Sequence, residues 1–127
     1  MKILFASDIH GSAYYCGKLL EIYQKSGAER LVLLGDILYH GPRNDLPKEY
    51  APKQVIAMLN EYKNQIYAVR GNCDTEVDQM VLEFPVLADY ALLSWNGKTF
   101  YATHGHVYNQ DNLPPVMPGD KIGRAHV

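Results

Sequence analysis

Three short apolar runs, each without polar alternation, mark the first half of the chain. They cover residues 2–7, 31–34 and 66–69, and polar residues or glycines follow each of them. A run of this kind is typical of a strand that is covered on both faces. We therefore predict three buried strands, and we expect residues 2–7 to form a central strand of their sheet.

Helical patterns separate these strands. Ser12 is placed to cap the first helix and Gly27 to end it, while Pro52 suits the first turn of the second. Apolar residues recur at helical spacing on both, namely Leu19, Leu20, Ile22 and Tyr23 on the first and Val55, Ile56, Met58, Leu59 and Tyr62 on the second. Residues 39–52 are predicted to form a loop, and residues 75–82 a short helix. The β-α-β order predicts parallel strands joined by right-handed crossovers.

The pattern changes after Val86. Residues 88–94 and 98–103 flank Asn96-Gly97, which is a strong short-range signal for a β-hairpin. A chain that begins as βαβαβ and then turns antiparallel is expected to form an α/β fold of two packed sheets with helices outside.

Composition narrows the class of protein. The chain has 127 residues, 47% of them hydrophobic and 20% charged, which is typical of one globular domain. Its net charge of −2 gives no clear signal for nucleic acid or for a membrane surface. Cys16 and Cys73 are far apart and form no disulfide or zinc-finger pattern, so we expect a cytoplasmic protein. The sequence shows no signal peptide and no apolar run of transmembrane length.

Candidate metal ligands follow the strands. Asp8 and His10 come after the first strand, Asp36 after the second and Asn72 after the third, and His104 ends the second arm of the hairpin. Because ligands gather beyond the carboxyl ends of strands in such sheets, these side chains are expected to converge.

Their chemistry suits two divalent cations. Two cations about 3.5–4 Å apart neutralise a phosphate ester and acidify a bound water. Asp36 is our choice for the bridging ligand, with Asp8 and His10 on one cation and Asn72 and His104 on the other. Mixed imidazole, carboxylate and amide ligands suit Mn, Fe, Ni, Co or Zn.

Each residue also has a structural interpretation. Asp8 or Asp36 could cap a following helix, and His10 could be a surface residue. Asn72 after glycine is typical of a turn, and His104 could be a hydrogen-bonded core histidine. His106 is interpreted as a substrate contact or as a group that supports the ligands. Their joint occurrence at strand ends favours the metal site.

These motifs resemble those of the calcineurin-like metallophosphoesterases, and among them the small YfcE-type phosphodiesterases. The matching segments are Asp8-Ile-His10, Gly35-Asp36, Gly71-Asn-Cys-Asp74, Thr103-His-Gly-His106, His40-Gly-Pro-Arg-Asn44 and Glu76-Val-Asp-Gln-Met80. The resemblance covers residues 1–120 and implies a four-layer α/β/β/α metallophosphoesterase sandwich, incomplete at the C-terminus.

The resemblance also implies the roles of individual residues. It places Asp8, His10 and Asp36 on one metal and Asp36, Asn72 and His104 on the other, commonly with manganese, and makes the last three the catalytic set. Cys73 and Asp74 would line the site, although Cys73 also suits a small loop filler. His40 and Arg43 are candidates for contacts to substrate phosphate, although loop residues are commonly just solvated.

The end of the chain departs from the family pattern. A Gly-His-x-His motif that supplies one further histidine to each metal is not present. The segment Lys121-Ile-Gly-Arg-Ala-His-Val127 is what one reading frame of a common short-read sequencing adapter encodes. We therefore expect the native sequence to end near Asp120, with residues 121–127 a read-through artefact and His126 only coincidentally near the position of a missing ligand. We expect the chain as written to be poorly soluble and nearly inactive.

Two other functions stay open. A retromer subunit resembles this fold and uses its surface as a non-catalytic scaffold, and a phosphomonoesterase of the same fold is the nearest enzymatic alternative. The leading hypothesis is a metal-dependent phosphodiesterase, and its expected partner is a small phosphodiester substrate. Homo-oligomerisation is left open.

Overall fold

The computed structural model describes residues 2–42 and 44–125. Arg43, a candidate substrate contact, and His126 lie outside these ranges. The described residues form nine elements, namely β1 (Ile3–Ala6), α1 (Ala13–Ser26), β2 (Arg30–Leu33), α2 (Pro52–Asn60), β3 (Ile66–Ala68), α3 (Glu76–Val81), β4 (Ala91–Trp95), β5 (Lys98–Thr103) and β6 (Lys121–Arg124).

Two three-stranded sheets form the body of the fold. The first has the order β1-β2-β3 and is parallel throughout. The second has the order β4-β5-β6, with an antiparallel β4–β5 pair and a parallel β5–β6 pair. The predicted change from parallel to antiparallel pairing is confirmed.

Strand β2, not β1, is central in the first sheet. Leu31 and Leu33 pack in a core with α1 and α2, whereas Val32 and Leu34 pack against Leu93 and Ala102 of the second sheet. The central position predicted for residues 2–7 is wrong within the described residues, because β1 pairs only with β2 and Phe5 is left 37% exposed. The layers run helix, sheet, sheet, which is three of the four predicted layers.

Local signals for the helices are largely confirmed. The Ser12 side chain accepts a hydrogen bond from the Tyr15 amide, and Gly27 ends α1 with φ +73°. Pro52 begins α2, as predicted. The predicted apolar face of α1 needs one correction, because Ile22 is 56% exposed whereas Cys16 takes a buried place beside Leu20 and Tyr23.

The Asn-Gly turn has the predicted geometry, and a further strand follows the hairpin. Asn96 (φ +51°) and Gly97 (φ +73°) both have positive φ, which is the geometry expected for an Asn-Gly turn. The segment Lys121–Arg124, which the sequence assigned to a read-through tail, forms β6, parallel to β5. Within the described residues, no helix has both the length and the apolar character that crossing a membrane requires.

Candidate metal centre

Backbone hydrogen bonds bring the loop after β1 against the loop after β2. The amides of Asp8, His10 and Gly11 donate to the carbonyls of Gly35, Asp36 and Ile37 at 3.0, 2.9 and 2.8 Å. This ladder continues the parallel pairing beyond the strand ends. Asp8 and His10 are therefore held beside Asp36 by the main chain, as the strand-end positions predicted.

His10 is oriented by its main-chain partner. Its Nδ1 lies 2.8 Å from the Tyr39 carbonyl. Because a carbonyl can only accept, Nδ1 carries the hydrogen, and Nε2 of the neutral ring presents a lone pair. That Nε2 faces Asp8 Oδ1 at 3.2 Å and Asp36 Oδ2 at 3.8 Å.

His104 repeats this arrangement from the second sheet. Its Nδ1 donates to the Leu34 carbonyl at 2.7 Å, and Nε2 lies 3.0 Å from Asn72 Oδ1 and 3.3 Å from Asp36 Oδ2. The side chain is 1% exposed. The interpretation as a hydrogen-bonded core histidine explains Nδ1, whereas Nε2 faces two oxygens at once, which is the environment of a metal ligand.

The donor atoms fit divalent cations. The Nε2 atoms of His10 and His104 both face Asp36 Oδ2. The Asp8 carboxylate lies beside the first nitrogen and the Asn72 amide oxygen beside the second. Hydrogen bonding of the second ring nitrogen to a carbonyl is typical of histidine ligands, because it fixes the tautomer. The described residues include two groups of possible ligands, and the ligand atoms of each group lie within 4.8 Å of one another. Asp8, Asp36 and His104 form one group, and His10, Asp36 and Cys73 form the other. Asp36 is common to both groups, which is the position that a bridging ligand requires.

Three of the candidate metal ligands have a left-handed backbone conformation. The φ angles of Asp8, His10 and Asp36 are +60°, +51° and +54°. Such angles cost a residue with a Cβ about 1–2 kcal/mol, and they persist where the surrounding structure enforces them, which is common at functional sites. Each of the three carries a side chain that points to the same place.

The charge of Asp36 is poorly solvated. Its side chain is 4% exposed, and this burial raises its pKa above the ordinary value. The amide of Cys73 and the ring of His104 act in the opposite direction, while Asp8 adds to the rise. A buried carboxylate with a raised pKa gains more from a neighbouring cation than an exposed one does.

Among the remaining predicted site residues, Cys73 and Asp74 are buried and His106 is exposed. Cys73 and Asp74 are buried beside Asp36, and burial raises the pKa of the Cys73 thiol to about 11. Asp74 was expected to line the site, but its carboxylate binds three backbone amides. His106 is exposed, with its ring 5.3 Å from that of His104. Partial desolvation, together with the neighbouring His104 and Arg70, lowers its pKa.

His40 lies on the loop that borders the His10 side of the centre. Its ring makes edge contacts with Tyr39 and Tyr50 at centroid distances of 4.8 and 5.3 Å. Its Nδ1 is buried and has no hydrogen-bond partner among the described residues. Its neighbour Tyr39 provides the carbonyl that binds His10 Nδ1, so the loop passes beside the centre.

Sequence reasoning placed one contribution only loosely and did not find another. Cys73 Sγ belongs to the His10–Asp36 group, a role that its place next to Asn72 only suggested. Ser7 was taken as the end of a strand, but its hydroxyl donates to Asp8 Oδ2 at 2.5 Å. A hydroxyl directly before Asp-x-His was the available signal.

A parallel sheet packed on a mixed sheet, with imidazole and carboxylate donors at the strand ends, defines a two-sheet α/β sandwich with a candidate metal centre at one edge. The chain belongs to the calcineurin-like phosphoesterases, since the model of the calcineurin-like phosphoesterase superfamily domain matches residues 1–122. The family implies divalent metal ions.

Characterised relatives agree with this family. The chain is 48% identical over 126 residues to phosphodiesterase YfcE of Escherichia coli K12, and equally to that of strain O157:H7. The match spans 99% of this chain and 68% of each relative. A solved structure of Yfce, described as a phosphoesterase from E. coli, aligns with a TM-score of 0.92 and 49% identity, over 94% of this chain and 66% of that one. The fold class and the resemblance inferred from the motifs are confirmed.

Proposed function

We propose that the protein is a metal-dependent phosphodiesterase with two divalent cations. Asp8, His10 and Asp36 hold one cation, and Asp36, Asn72 and His104 hold the other. The observation that carries this proposal is the position of Asp36 Oδ2, which lies 3.8 Å from His10 Nε2 and 3.3 Å from His104 Nε2. Both rings are turned toward it by hydrogen bonds to backbone carbonyls.

When bound, the cations supply Lewis acidity and a water that ionises near neutral pH. The residues of the chain do the rest. His10 and His104 are locked in the tautomer that directs Nε2 into the site, and Asp36 supplies the negative charge between them. Asn72 adds a neutral oxygen, so the ligands carry less negative charge than an all-carboxylate set and oppose an anionic phosphodiester less.

Manganese is the proposed metal, with nickel, cobalt, iron and zinc as alternatives. Imidazole nitrogen and carboxylate or amide oxygen are donors that these borderline metals share, so affinity alone does not choose among them. The proposed substrate is a small phosphodiester. His106, which is exposed, and His40 are the side chains proposed to meet it. We propose a cytoplasmic location, because the two cysteines are free thiols.

The test is metal-dependent turnover of a model diester by protein expressed from its genomic reading frame. After removal of metal with a chelator, Mn²⁺ should restore hydrolysis of bis-p-nitrophenyl phosphate. Asp36→Asn should lower the rate at least about 100-fold, since a metal contributes several kcal/mol and each 1.36 kcal/mol is tenfold. Asp111→Asn, an exposed loop carboxylate outside the proposed ligands, is the matched control and should keep the wild-type rate. Turnover that survives both the chelator and Asp36→Asn would contradict the proposal.

The same protein separates the alternatives. Faster hydrolysis of p-nitrophenyl phosphate than of the diester would favour a phosphomonoesterase. Absence of bound metal by elemental analysis, together with absence of turnover, would favour the non-catalytic scaffold.

A further inference from the structure

The Asp74 carboxylate joins two loops beneath the proposed centre. Its Oδ2 accepts hydrogen bonds from the amides of Asp36 and Gly71, both at 2.7 Å, and its Oδ1 accepts one from the amide of Ile37 at 3.0 Å. The residue is 6% exposed. Two of these amides belong to the loop after β2 and one to the loop after β3, so a single carboxylate spans both.

The connection is reciprocal. Asp36 Oδ1 accepts a hydrogen bond from the Cys73 amide at 2.8 Å, which lies in the loop that carries Asp74. Each loop therefore carries a carboxylate that binds amides of the other. With Oδ1 fixed in this way, Asp36 directs its other oxygen, Oδ2, toward His10 and His104.

The two loops touch without intervening side chains. A Cβ added at Gly35 would overlap the backbone of Gly71, and one added at Gly71 would overlap the Asp36 side chain and amide. This contact leaves no room for a side chain between the loops. The spacing between Asp36 and Asn72 is thus set by the backbone contact and by the carboxylates that close it.

We propose that Asp74 is a positioning residue, whose carboxylate fixes the loops that carry Asp36 and Asn72 at the separation that two cations need. This role rests on the proposed function. It differs from the substrate-facing role considered from the sequence, because both oxygens of Asp74 are already occupied by main-chain amides. Asp74 acts through Asp36 and Asn72 and touches neither substrate nor metal.

The test combines NMR with Mn²⁺ binding, both on protein expressed from its genomic reading frame. In the wild type, scalar couplings across the hydrogen bonds should connect the amide nitrogens of Asp36, Ile37 and Gly71 to the Asp74 carboxylate carbon. Asp74→Asn presents an NH₂ group in place of one acceptor oxygen. It should shift these three amide signals upfield and weaken Mn²⁺ binding about 10- to 100-fold, the usual effect of losing a residue that supports metal ligands.

Asp78→Asn is the matched control. Asp78 also accepts a backbone amide, from Thr75 at 3.0 Å, but this bond closes the first turn of α3 and joins no second loop. It should leave Mn²⁺ affinity and the three amide signals unchanged. If Asp74→Asn does not fold, Asp74→Glu, which keeps the charge but displaces the oxygens, takes its place in the titration.

The outcomes are distinct. Absence of the couplings in the wild type, or a folded Asp74 variant that binds Mn²⁺ as the wild type does, would overturn the positioning role. Wild-type protein that binds none of Mn²⁺, Fe²⁺, Co²⁺, Ni²⁺ and Zn²⁺ would instead refute the proposed function, and the couplings would still decide whether Asp74 joins the loops.

Discussion

The contact between the loops after β2 and β3 gives the sharpest stability prediction. Gly35 has φ +101°, and a Cβ there would overlap the amide nitrogen and Cα of Gly71. The substitution Gly35→Ala therefore strains one residue and also forces the loops apart. Gly27→Ala is the matched control, because Gly27 has φ +73° at the end of α1 and a Cβ there meets nothing within 4 Å.

The difference between the two variants can be worked from the structure. Left-handed backbone costs alanine about 1–2 kcal/mol, and both variants pay it. Separation of the loops additionally disrupts at least one charge-assisted hydrogen bond, such as that from the Gly71 amide to Asp74 at 2.7 Å. Such bonds contribute about 1.5–3 kcal/mol. We expect Gly27→Ala to lower the free energy of unfolding by about 1–2 kcal/mol, and Gly35→Ala to lower it by about 2.5–5 kcal/mol.

Urea unfolding of the metal-free protein measures both values, and Mn²⁺ titration shows which variant damages the centre. Gly35→Ala should weaken Mn²⁺ binding, and Gly27→Ala should not, because Gly27 lies before β2 whereas the ligands follow the other end of that strand. Equal losses of stability for the two variants, with Mn²⁺ binding intact in both, would show that the close approach of the loops has no energetic weight.

Three further predictions follow from buried groups and from the end of the chain. In metal-free protein, Asp36→Asn should raise the Tm at pH 7, because burial raises the pKa of Asp36 and the fold therefore favours the uncharged form. The difference in Tm between variant and wild type should shrink as the pH falls through that pKa. A lower Tm for the variant at pH 7 would show that ion pairing with the histidines dominates. Burial raises the pKa of both Cys16 and Cys73 to about 11. Neither thiol should therefore react with iodoacetamide at pH 8 in the folded protein, which mass spectrometry can check. Rapid labelling of either cysteine would contradict its burial. Genomic DNA read beyond the codon for Asp120 should not encode residues 121–127, and finding the heptapeptide there would end the read-through hypothesis.

Features fixed by neighbouring residues were predictable from the sequence. Ser12 and Gly27 bound α1, and Asn96-Gly97 makes the hairpin, because capping and turn geometry depend on a few adjacent residues. The convergence of Asp8, His10, Asp36 and Asn72 was also predictable, since the parallel strands β1, β2 and β3 bring their carboxyl ends to one edge. His104 joins them from the end of β5 in the second sheet, as its own strand-end position predicted.

Features that depend on distant segments were not predictable. The edge position of β1 depends on strand order, which a short apolar run does not encode. The role of Asp74 depends on amides 37 and 38 positions earlier in the chain, at Ile37 and Asp36. A single sequence shows an aspartate after Gly-Asn-Cys but gives no sign that both of its oxygens are occupied by the main chain.

The left-handed backbone at Asp8, His10 and Asp36 has an evolutionary consequence. Glycine adopts such angles without steric cost, so each position keeps its side chain at the expense of backbone strain. A descendant that no longer bound a cation would relieve that strain by replacing any of the three with glycine. These positions would then be among the first to drift, and glycine there in a homologue would mark a lineage in which selection for the side chains has ended.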